Sequence, residues 1–256
     1  MPTPEAALIR SSLLQSVGIT AVFTERQGGI SATPFDSFNL ADDIGDNSSA
    51  VSTNMERLVH HAGLASPPHQ ARQIHATDHL LCSGPGAIHD AHADILITSE
   101  TACPVAVRTA DCLPLLLADP IAGVVAAVHA GWRGTAQRIA ARAVDLLKEH
   151  GCRAENIYAA LGPAIGPCCF EVDRDVAEQL AASTEGGTEA ISHGEKPHAD
   201  LATLNSMQLA EAGISSNHIE AHRLCTCCYP QRFFSYRRDH GKSGRHLAVV
   251  ALPAGL

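Results

Sequence analysis

The chain has 256 residues and a formal net charge of −9, and 45% of its residues are hydrophobic. This length suits one large domain, and the acidic charge argues against a nucleic-acid partner, because nucleic-acid binding depends on clustered Lys and Arg. No apolar run reaches the ~18 residues needed to cross a membrane, and residues 1–15 lack the basic start and apolar centre of a secretion signal. We therefore expect a cytoplasmic protein with no membrane partner, whose nine cysteines are reduced.

The first third of the chain predicts a strand, a long loop and a helix. Residues 19–25 alternate between apolar and polar and include β-branched side chains, which predicts a strand. Residues 26–47 are rich in Gly, Ser, Pro and Asp and are too long for a plain connection, and such loops usually carry function. The spacing of apolar residues over 49–62 predicts a helix that ends at Gly63.

The remainder of the chain alternates predicted strands with single helices. Strands are predicted over 93–98, 103–109, 113–119, 123–130, 156–162 and 246–253. One helix is predicted to begin with Thr135 as its cap and to end at Gly151, and two more are predicted over 172–183 and 201–213. Strands outnumber helices, and no linker interrupts the pattern. The sequence therefore predicts an α+β fold, a sheet covered by helices, in a single domain over residues 1–256.

Three predicted strands end in reactive side chains, at His75, Cys112 and His129. Strand ends often carry sites because the sheet fixes their side chains rigidly. Two imidazoles and one thiolate suit zinc, and three protein ligands leave a fourth position open, as in catalytic zinc sites. The spacings match no short zinc motif, so two hydrogen-bonded histidines and one core thiol explain the same residues.

Two segments suggest an anion site. Gly131 to Gly134, with Arg133 among them, precede a predicted helix and offer backbone N–H groups to an anion. Residues 232–245 concentrate positive charge in an acidic protein, which favours a phosphate-sized anion; the alternative is a solvated basic turn. The residues concerned are Arg232, Arg237, Arg238, Lys242 and Arg245.

Cysteines also cluster near the C-terminus, at Cys225, Cys227 and Cys228. A Cys-x-x-Cys pair can bind a metal or carry out redox chemistry, but no second pair lies at zinc-ribbon spacing, because Cys168 and Cys169 are adjacent. A structural or buried role is the simpler interpretation. The segment "LGPAIGPCCFEV", residues 161–172, is either a rigid loop around a pocket or a tight turn with buried thiols.

Four motifs, "RTADCLPLLLADP", "VAAVHAGWRGT", "LGPAIGPCCFEV" and "FFSYRRDHGKSGRHLAVVAL", occur in this order. With them the chain resembles the YfiH family, also called the polyphenol oxidase or laccase-domain family, from about residue 23 to residue 252. The resemblance implies sheets sandwiched by helices and a zinc site formed by His75, Cys112 and His129. The chain departs from the family's pattern in the segment after His75 and in the extra thiol of Cys227.

The resemblance also implies an enzyme that binds purine nucleosides and phosphate. The family's activities are phosphorolysis of adenosine, inosine and S-methyl-5′-thioadenosine, and deamination of adenosine. We expect His75, Asp111, Cys112 and His129 to be catalytic, with Asp111 carrying a proton or orienting His129. An ion pair between Asp111 and Arg108 is an equally good explanation. We expect phosphate or substrate to be bound by Arg26, Asn39, Arg133, Glu171 and Arg237.

Three other functions stay open on the sequence. A copper-dependent polyphenol oxidase is suggested by the older family name, since copper can enter a His₂Cys site. A hydrolase that edits peptidoglycan precursors would use Cys112 as a nucleophile paired with a histidine. A non-enzymatic binding module is the third, and the reactive strand ends argue against it.

Overall fold

The computed structural model describes residues 6–192 and 194–253. Its strands are β1 (Leu8–Arg10), β2 (Thr20–Thr24), β3 (Gln70–Arg72), β4 (His79–Leu81), β5 (Ile88–His92), β6 (Ile95–Thr98), β7 (Val105–Thr109), β8 (Leu113–Asp119), β9 (Val124–Ala130), β10 (Tyr158–Leu161), β11 (Ile219–Ala221) and β12 (His246–Ala251). Its α-helices are α1 (Ser12–Ser16), α2 (Ser48–Ala62), α3 (Trp132–Ala136), α4 (Ile139–Glu149), α5 (Arg174–Ala181) and α6 (Leu201–Glu211). Among residues 6–192 and 194–253, no α-helix combines the length and the hydrophobicity of a transmembrane span.

Two large sheets form the centre of the molecule. The first has the strand order β1-β2-β12-β7 and is antiparallel throughout. The second has the order β11-β10-β8-β9-β6-β4, with parallel pairs only at its two edges. Strands β3 and β5 form a small parallel pair at the side.

The alternation of side chains along β8 shows how the sheets are stacked. Leu113, Leu115 and Leu117 face the helices, whereas Leu116 and Ala118 face the other sheet. Both faces of the strand are therefore buried, which explains why its sequence is a nearly continuous apolar run rather than an alternating one. The neighbouring strand β9 follows the same rule in antiparallel register.

Helices cover both outer faces. Helix α4 packs on the six-stranded sheet and α6 packs against α4, whereas α2 packs on the outer face of the four-stranded sheet through Leu58 and Ala62. The order of layers is thus helix, sheet, sheet, helix. The predicted α+β fold, a single domain of layered sheets sandwiched by helices, is confirmed.

Two local predictions were wrong. The helix expected to begin at Thr135 is two helices, because Arg138 adopts a left-handed conformation (φ 61°) between α3 and α4. Thr135 lies buried inside α3, and the helix begins after Gly131. The strand expected to reach His75 ends at Arg72, and His75 lies in a loop with φ 62°.

Candidate metal centre and adjoining cavity

Three side chains from separate segments meet at one end of the six-stranded sheet. His129 lies near the end of β9, Cys112 directly precedes β8, and His75 follows β3 in a loop. Their ligand atoms all lie within 4.8 Å of one another, and Nε2 of His75 is 3.9 Å from Sγ of Cys112. The structure therefore brings together the three residues that the sequence nominated as ligands.

Asp94, which we did not single out in the sequence, holds this arrangement together. Its fully buried carboxylate accepts the Nδ1–H of His129 at 2.7 Å. It also accepts backbone N–H groups from the loop that carries His75, at 2.9–3.1 Å, from residues 74–76. A carboxylate on Nδ1 fixes the ring so that Nε2 is free to bind a metal. The only sequence signal was an aspartate immediately before a buried strand.

Gly131 lies against two of the three side chains. A Cβ at this position would be 2.9 Å from Cδ2 of His75 and 3.1 Å from Sγ of Cys112. Both distances are shorter than the normal van der Waals separation between a methyl carbon and a carbon or sulfur atom. Glycine is therefore required here by the close approach of the backbone to the site.

The electrostatics of the cluster favour a thiolate. Burial would raise the pKa of Cys112, but the charge of His129 and hydrogen bonds from both histidines lower this pKa to about 6. Burial would likewise lower the pKa of His129, but the charge of Cys112 and the bond to Asp94 raise it to about 9. Thiolate is the form of cysteine that binds metals. Two imidazoles and a thiolate suit zinc, and they leave its fourth position open.

Asp111 lies beside Cys112 but turns away from the histidines. It adopts φ 94°, and its carboxylate accepts the hydroxyl groups of Thr226 (2.6 Å) and Ser235 (3.0 Å) and the backbone N–H of Arg237 (2.7 Å). All three donors belong to the segment that follows β11. Asp111 thus fastens this segment to the end of the sheet.

Two of the expected contacts of Asp111 are wrong. Arg108 pairs with Asp43, at 2.7 Å, rather than with Asp111. The carboxylate that orients His129 is that of Asp94. Both predictions paired residues that are close in sequence. The actual partners, Asp43 and Asp94, are distant in sequence and are brought close only by the fold.

A cavity of about 580 Å³ opens directly onto the three ligand side chains. This volume is in the range of pockets that enclose small organic ligands. Part of its wall is apolar: Trp132, Phe170 and Tyr236 contribute aromatic rings, and Ile165 and Leu201 contribute aliphatic side chains. The cavity can therefore hold a ring system next to the candidate metal ligands His75, Cys112 and His129.

Four arginines also line the cavity: Arg108, Arg133, Arg237 and Arg245. Apart from Arg108, none of the four has a carboxylate within 4.0 Å among residues 6–192 and 194–253. Burial, together with the charge of Arg108, lowers the pKa of Arg245. Unneutralised guanidinium groups in a partly buried site are suited to hold an anion such as phosphate.

Three of the residues expected to bind substrate or phosphate do not line this cavity. Arg26 forms an ion pair with Asp36 at 2.9 Å. Asn39 is fully buried, donates to Ala41 and Asp46 of its own loop, and accepts the backbone N–H of Arg245 at 2.9 Å. Glu171 is bound by Lys196 at 2.8 Å on the surface. Arg26 and Asn39 instead shape the long loop after β2.

Sequence comparisons place the chain among known proteins. The family model described as "Multi-copper polyphenol oxidoreductase laccase" matches residues 20–253. A purine nucleoside phosphorylase of Deinococcus radiodurans is 38% identical over 254 residues, which cover 99% of this chain and 96% of that relative. The purine nucleoside phosphorylase YfiH of Escherichia coli strain K12 is 40% identical over 240 residues, with coverage of 93% and 96%.

Solved structures agree with this placement. The hypothetical protein YfiH of Bacillus licheniformis superposes with a TM-score of 0.89 at 29% identity and covers 96% of both chains. YlmD of Geobacillus stearothermophilus gives a TM-score of 0.89 at 31% identity, with 97% of both chains covered. Family model, relatives and structures coincide over nearly the whole chain, and the chain therefore belongs to the YfiH family.

Proposed function

We propose that this protein is a zinc-dependent purine nucleoside phosphorylase. Its proposed substrates are adenosine, inosine and S-methyl-5′-thioadenosine, and it also deaminates adenosine. One observation carries the proposal: the donor set of His75, Cys112 and His129 shares a cavity with three arginines that have no carboxylate within 4.0 Å among the described residues, Arg133, Arg237 and Arg245. Relatives at 38–40% identity named purine nucleoside phosphorylase support this assignment.

In phosphorolysis, a phosphate oxygen forms a bond to C1′ of the ribose while the bond from C1′ to N9 of the purine breaks. The electron pair of the broken bond stays with the base, which takes up a proton, and ribose 1-phosphate is released. Arg133, Arg237 and Arg245 would hold the phosphate bidentately on its charged oxygens. The purine would stack on the apolar wall that includes Trp132 and Phe170.

Zinc at His75, Cys112 and His129 would supply a Lewis acid with an open coordination position. Two residues would keep the open coordination position facing the cavity. Asp94 orients the ring of His129, and Gly131 leaves room for the side chains of His75 and Cys112. We assign Asp111 a positioning role, because both of its oxygens are engaged by Thr226, Ser235 and the backbone of Arg237. In deamination, water replaces the amino group at C6, and the products are inosine and ammonia.

The test is an assay of zinc-replete protein on adenosine with and without phosphate. We expect adenine and ribose 1-phosphate only when phosphate is present, and inosine and ammonia in either case. Cys112→Ala and His129→Ala should abolish both activities, whereas Cys227→Ser, a thiol outside the cavity, should leave them unchanged. Absence of turnover by the metal-replete protein, beside an active control phosphorylase, would contradict the proposal.

A hydrolase with Cys112 as nucleophile is the second candidate, supported by the same residues. A thiolate at Cys112 beside His129, with Asp94 on the far nitrogen of that ring, matches the order of nucleophile, base and orienting carboxylate. The second imidazole, His75, favours a metal over this arrangement. Metal-free protein that hydrolyses a UDP-linked amino-acyl sugar, and that iodoacetamide inhibits, would favour the hydrolase.

Copper is the alternative metal, because it outcompetes zinc at most imidazole and thiolate sites. The description of the family model names copper and polyphenols. Metal analysis of protein purified without added copper separates the two assignments, since a phenol oxidase would be active only with copper.

We also propose a reducing, cytoplasmic location, in keeping with the nine cysteines, all of which are free thiols.

A further inference from the structure

A second group of side chains that could bind a metal, four cysteines, lies near the wall of the cavity. Cys168 and Cys169 lie on one turn, and Cys225 and Cys228 lie on another, about 60 residues later in the chain. The four sulfur atoms all lie within 4.8 Å of one another. Sγ of Cys228 is 3.4 Å from Sγ of Cys168 and 3.4 Å from Sγ of Cys169.

These distances suit a shared metal ion better than disulfides. In a tetrahedral site with zinc–sulfur bonds of ~2.3 Å, the sulfur atoms are separated by about 3.8 Å. A disulfide requires a sulfur–sulfur distance of ~2.05 Å. We propose that Cys168, Cys169, Cys225 and Cys228 bind a second zinc ion as four thiolates. With four protein ligands this site is closed, in contrast to the site at Cys112.

The surroundings of the cluster fit a negatively charged metal–thiolate group. One zinc ion and four thiolates carry a net charge of −2, because the four thiols lose their protons on binding. The backbone N–H of Gly166 donates to Sγ of Cys225 at 3.2 Å. The guanidinium groups of Arg237 and Arg238 donate to backbone carbonyls of the two turns, at 3.4 Å to Cys169 and at 2.8 Å to Thr226. These bonds hold the two turns against the segment that carries Arg237 and Arg238.

The proposed site joins two segments that shape the cavity. The segment with Cys168 and Cys169 also contributes Ile165 and Phe170 to the cavity wall. The segment with Cys225 and Cys228 contributes the Thr226 hydroxyl to Asp111. Among the described residues, three backbone hydrogen bonds pair these segments: two join Ala164 to the residues that flank Cys225, and one runs from the N–H of His222 to the carbonyl of Leu161. A zinc ion would therefore cross-link the segment that forms part of the cavity wall to the segment whose Thr226 hydroxyl binds Asp111.

The experiment is a metal count on the full chain, reduced and reconstituted anaerobically with excess zinc and then desalted. We expect two zinc ions per wild-type chain and one per chain for the double variant Cys168→Ser/Cys228→Ser. The His129→Ala variant should also keep one, and with cobalt in place of zinc it should show the thiolate charge-transfer and visible bands of a tetrahedral four-sulfur site. Cys227→Ser, on the same turn but outside the group, should bind two.

Several results would overturn the proposal. The same zinc count in the wild type and in the double variant would show that the cluster binds no metal. A cobalt spectrum of the His129→Ala variant without sulfur charge-transfer bands would do the same. A mass lower by two hydrogens per cysteine pair in freshly isolated protein would show disulfides. None of these readouts depends on nucleoside turnover, so the second site and the proposed phosphorylase activity can fail separately.

Discussion

At the candidate metal centre, a single carboxylate ties together three segments that are far apart in sequence. Asp94 accepts the ring N–H of His129 and the backbone N–H groups around His75, so it positions two of the three ligands at once. Its hydrogen bonds to the charged form outweigh its burial and lower the pKa of its carboxyl group. The ionised, acceptor-only form is the one that this position requires.

Replacement of Asp94 by Asn should therefore weaken zinc binding at this centre by about 10- to 100-fold, because an outer carboxylate both orients the ligand ring and raises its basicity. The affinity can be measured by competition with a chromophoric chelator. Asp90→Asn is the matched control, since Asp90 is fully exposed on β5 and should leave the affinity unchanged. An Asp94→Asn protein that binds zinc as tightly as wild type would contradict the orienting role.

Arg133 offers the cleanest test of phosphate binding. Its side chain is exposed, stacks over Trp132 at 4.4 Å and lines the cavity, so its removal should leave the fold intact. A lost charge-assisted hydrogen bond costs about 1.5–3 kcal/mol, so Arg133→Ala should raise the KM for phosphate by about tenfold or more. Arg153→Ala, at an exposed ion pair with Glu155, is the control. Equal effects on the KM values for phosphate and nucleoside would refute a phosphate site.

Cys112 and His129 could be nominated from sequence because Cys112 directly precedes the apolar strand β8 and His129 lies near the end of the apolar strand β9. Asp94 was not predicted from sequence because its hydrogen-bond partners lie about 20 and 35 residues away, and no local sequence pattern indicates them. Arg26 was misassigned for the opposite reason, since a basic residue in a long polar loop has the composition of a binding site. Only the fold shows that its charge is already used by Asp36.

At the scale of elements, α3 presents Trp132 and Arg133 to the cavity, and buried polar side chains of α6 hold this helix in place. Asn205 of α6 donates its amide to Oγ1 of Thr135 at 2.9 Å, and Gln208 donates to the backbone carbonyl of Thr135 at 2.8 Å. These contacts also explain why Thr135 is buried inside the helix rather than at its cap. They link α6 to the turn that presents Trp132 and Arg133.

Asn205→Ala should lower the free energy of unfolding by about 1–3 kcal/mol, since it removes a buried hydrogen-bond donor from Thr135. Chemical denaturation measures this change. The neighbouring Ser206→Ala is the control, because within the described part of the chain the Ser206 hydroxyl donates to the backbone of its own helix and to no other group. The change should stay within about 0.5 kcal/mol. A similar loss in both variants would show that the contact between α3 and α6 adds nothing.

Strands buried on both faces were predictable from sequence, and edge strands were not. β7, β8, β9 and β12 are apolar runs with clear turn signals, and the structure has them within two residues of their predicted bounds. The strands β4 and β5 are short and largely exposed, with no apolar alternation to mark them. Their conformation depends on pairing with distant strands, which local sequence does not encode.

At the scale of the whole molecule, the segment between β11 and β12 binds the two large sheets together. One end reaches the six-stranded sheet through the bonds of Ser235 and Arg237 to Asp111. The other end enters the four-stranded sheet as β12, where Nε2 of His246 accepts the backbone N–H of Phe234 at 2.8 Å. His246 must be neutral to accept this bond, and it is buried.

The titration of His246 makes the stability of the fold depend on pH. Burial, with the charges of Arg26 and Arg245, lowers the pKa of His246 to about 3, against about 6.5 for an unfolded histidine. Between these values the unfolded chain binds a proton that the folded chain does not. The free energy of unfolding therefore falls as the pH drops through this window, by up to about 1.4 kcal/mol per pH unit.

His246→Gln should flatten this dependence, because the Gln amide oxygen can accept the same N–H but does not titrate. For metal-free protein in urea, the drop in unfolding free energy between pH 6.5 and pH 5 should be about 1.6 kcal/mol smaller in the variant than in wild type. His60→Gln, an exposed histidine on α2, should keep the wild-type slope. If the His246→Gln protein loses stability as steeply as wild type, another group causes the acid sensitivity, and His246 is not the residue that couples protonation to the joining of the two sheets.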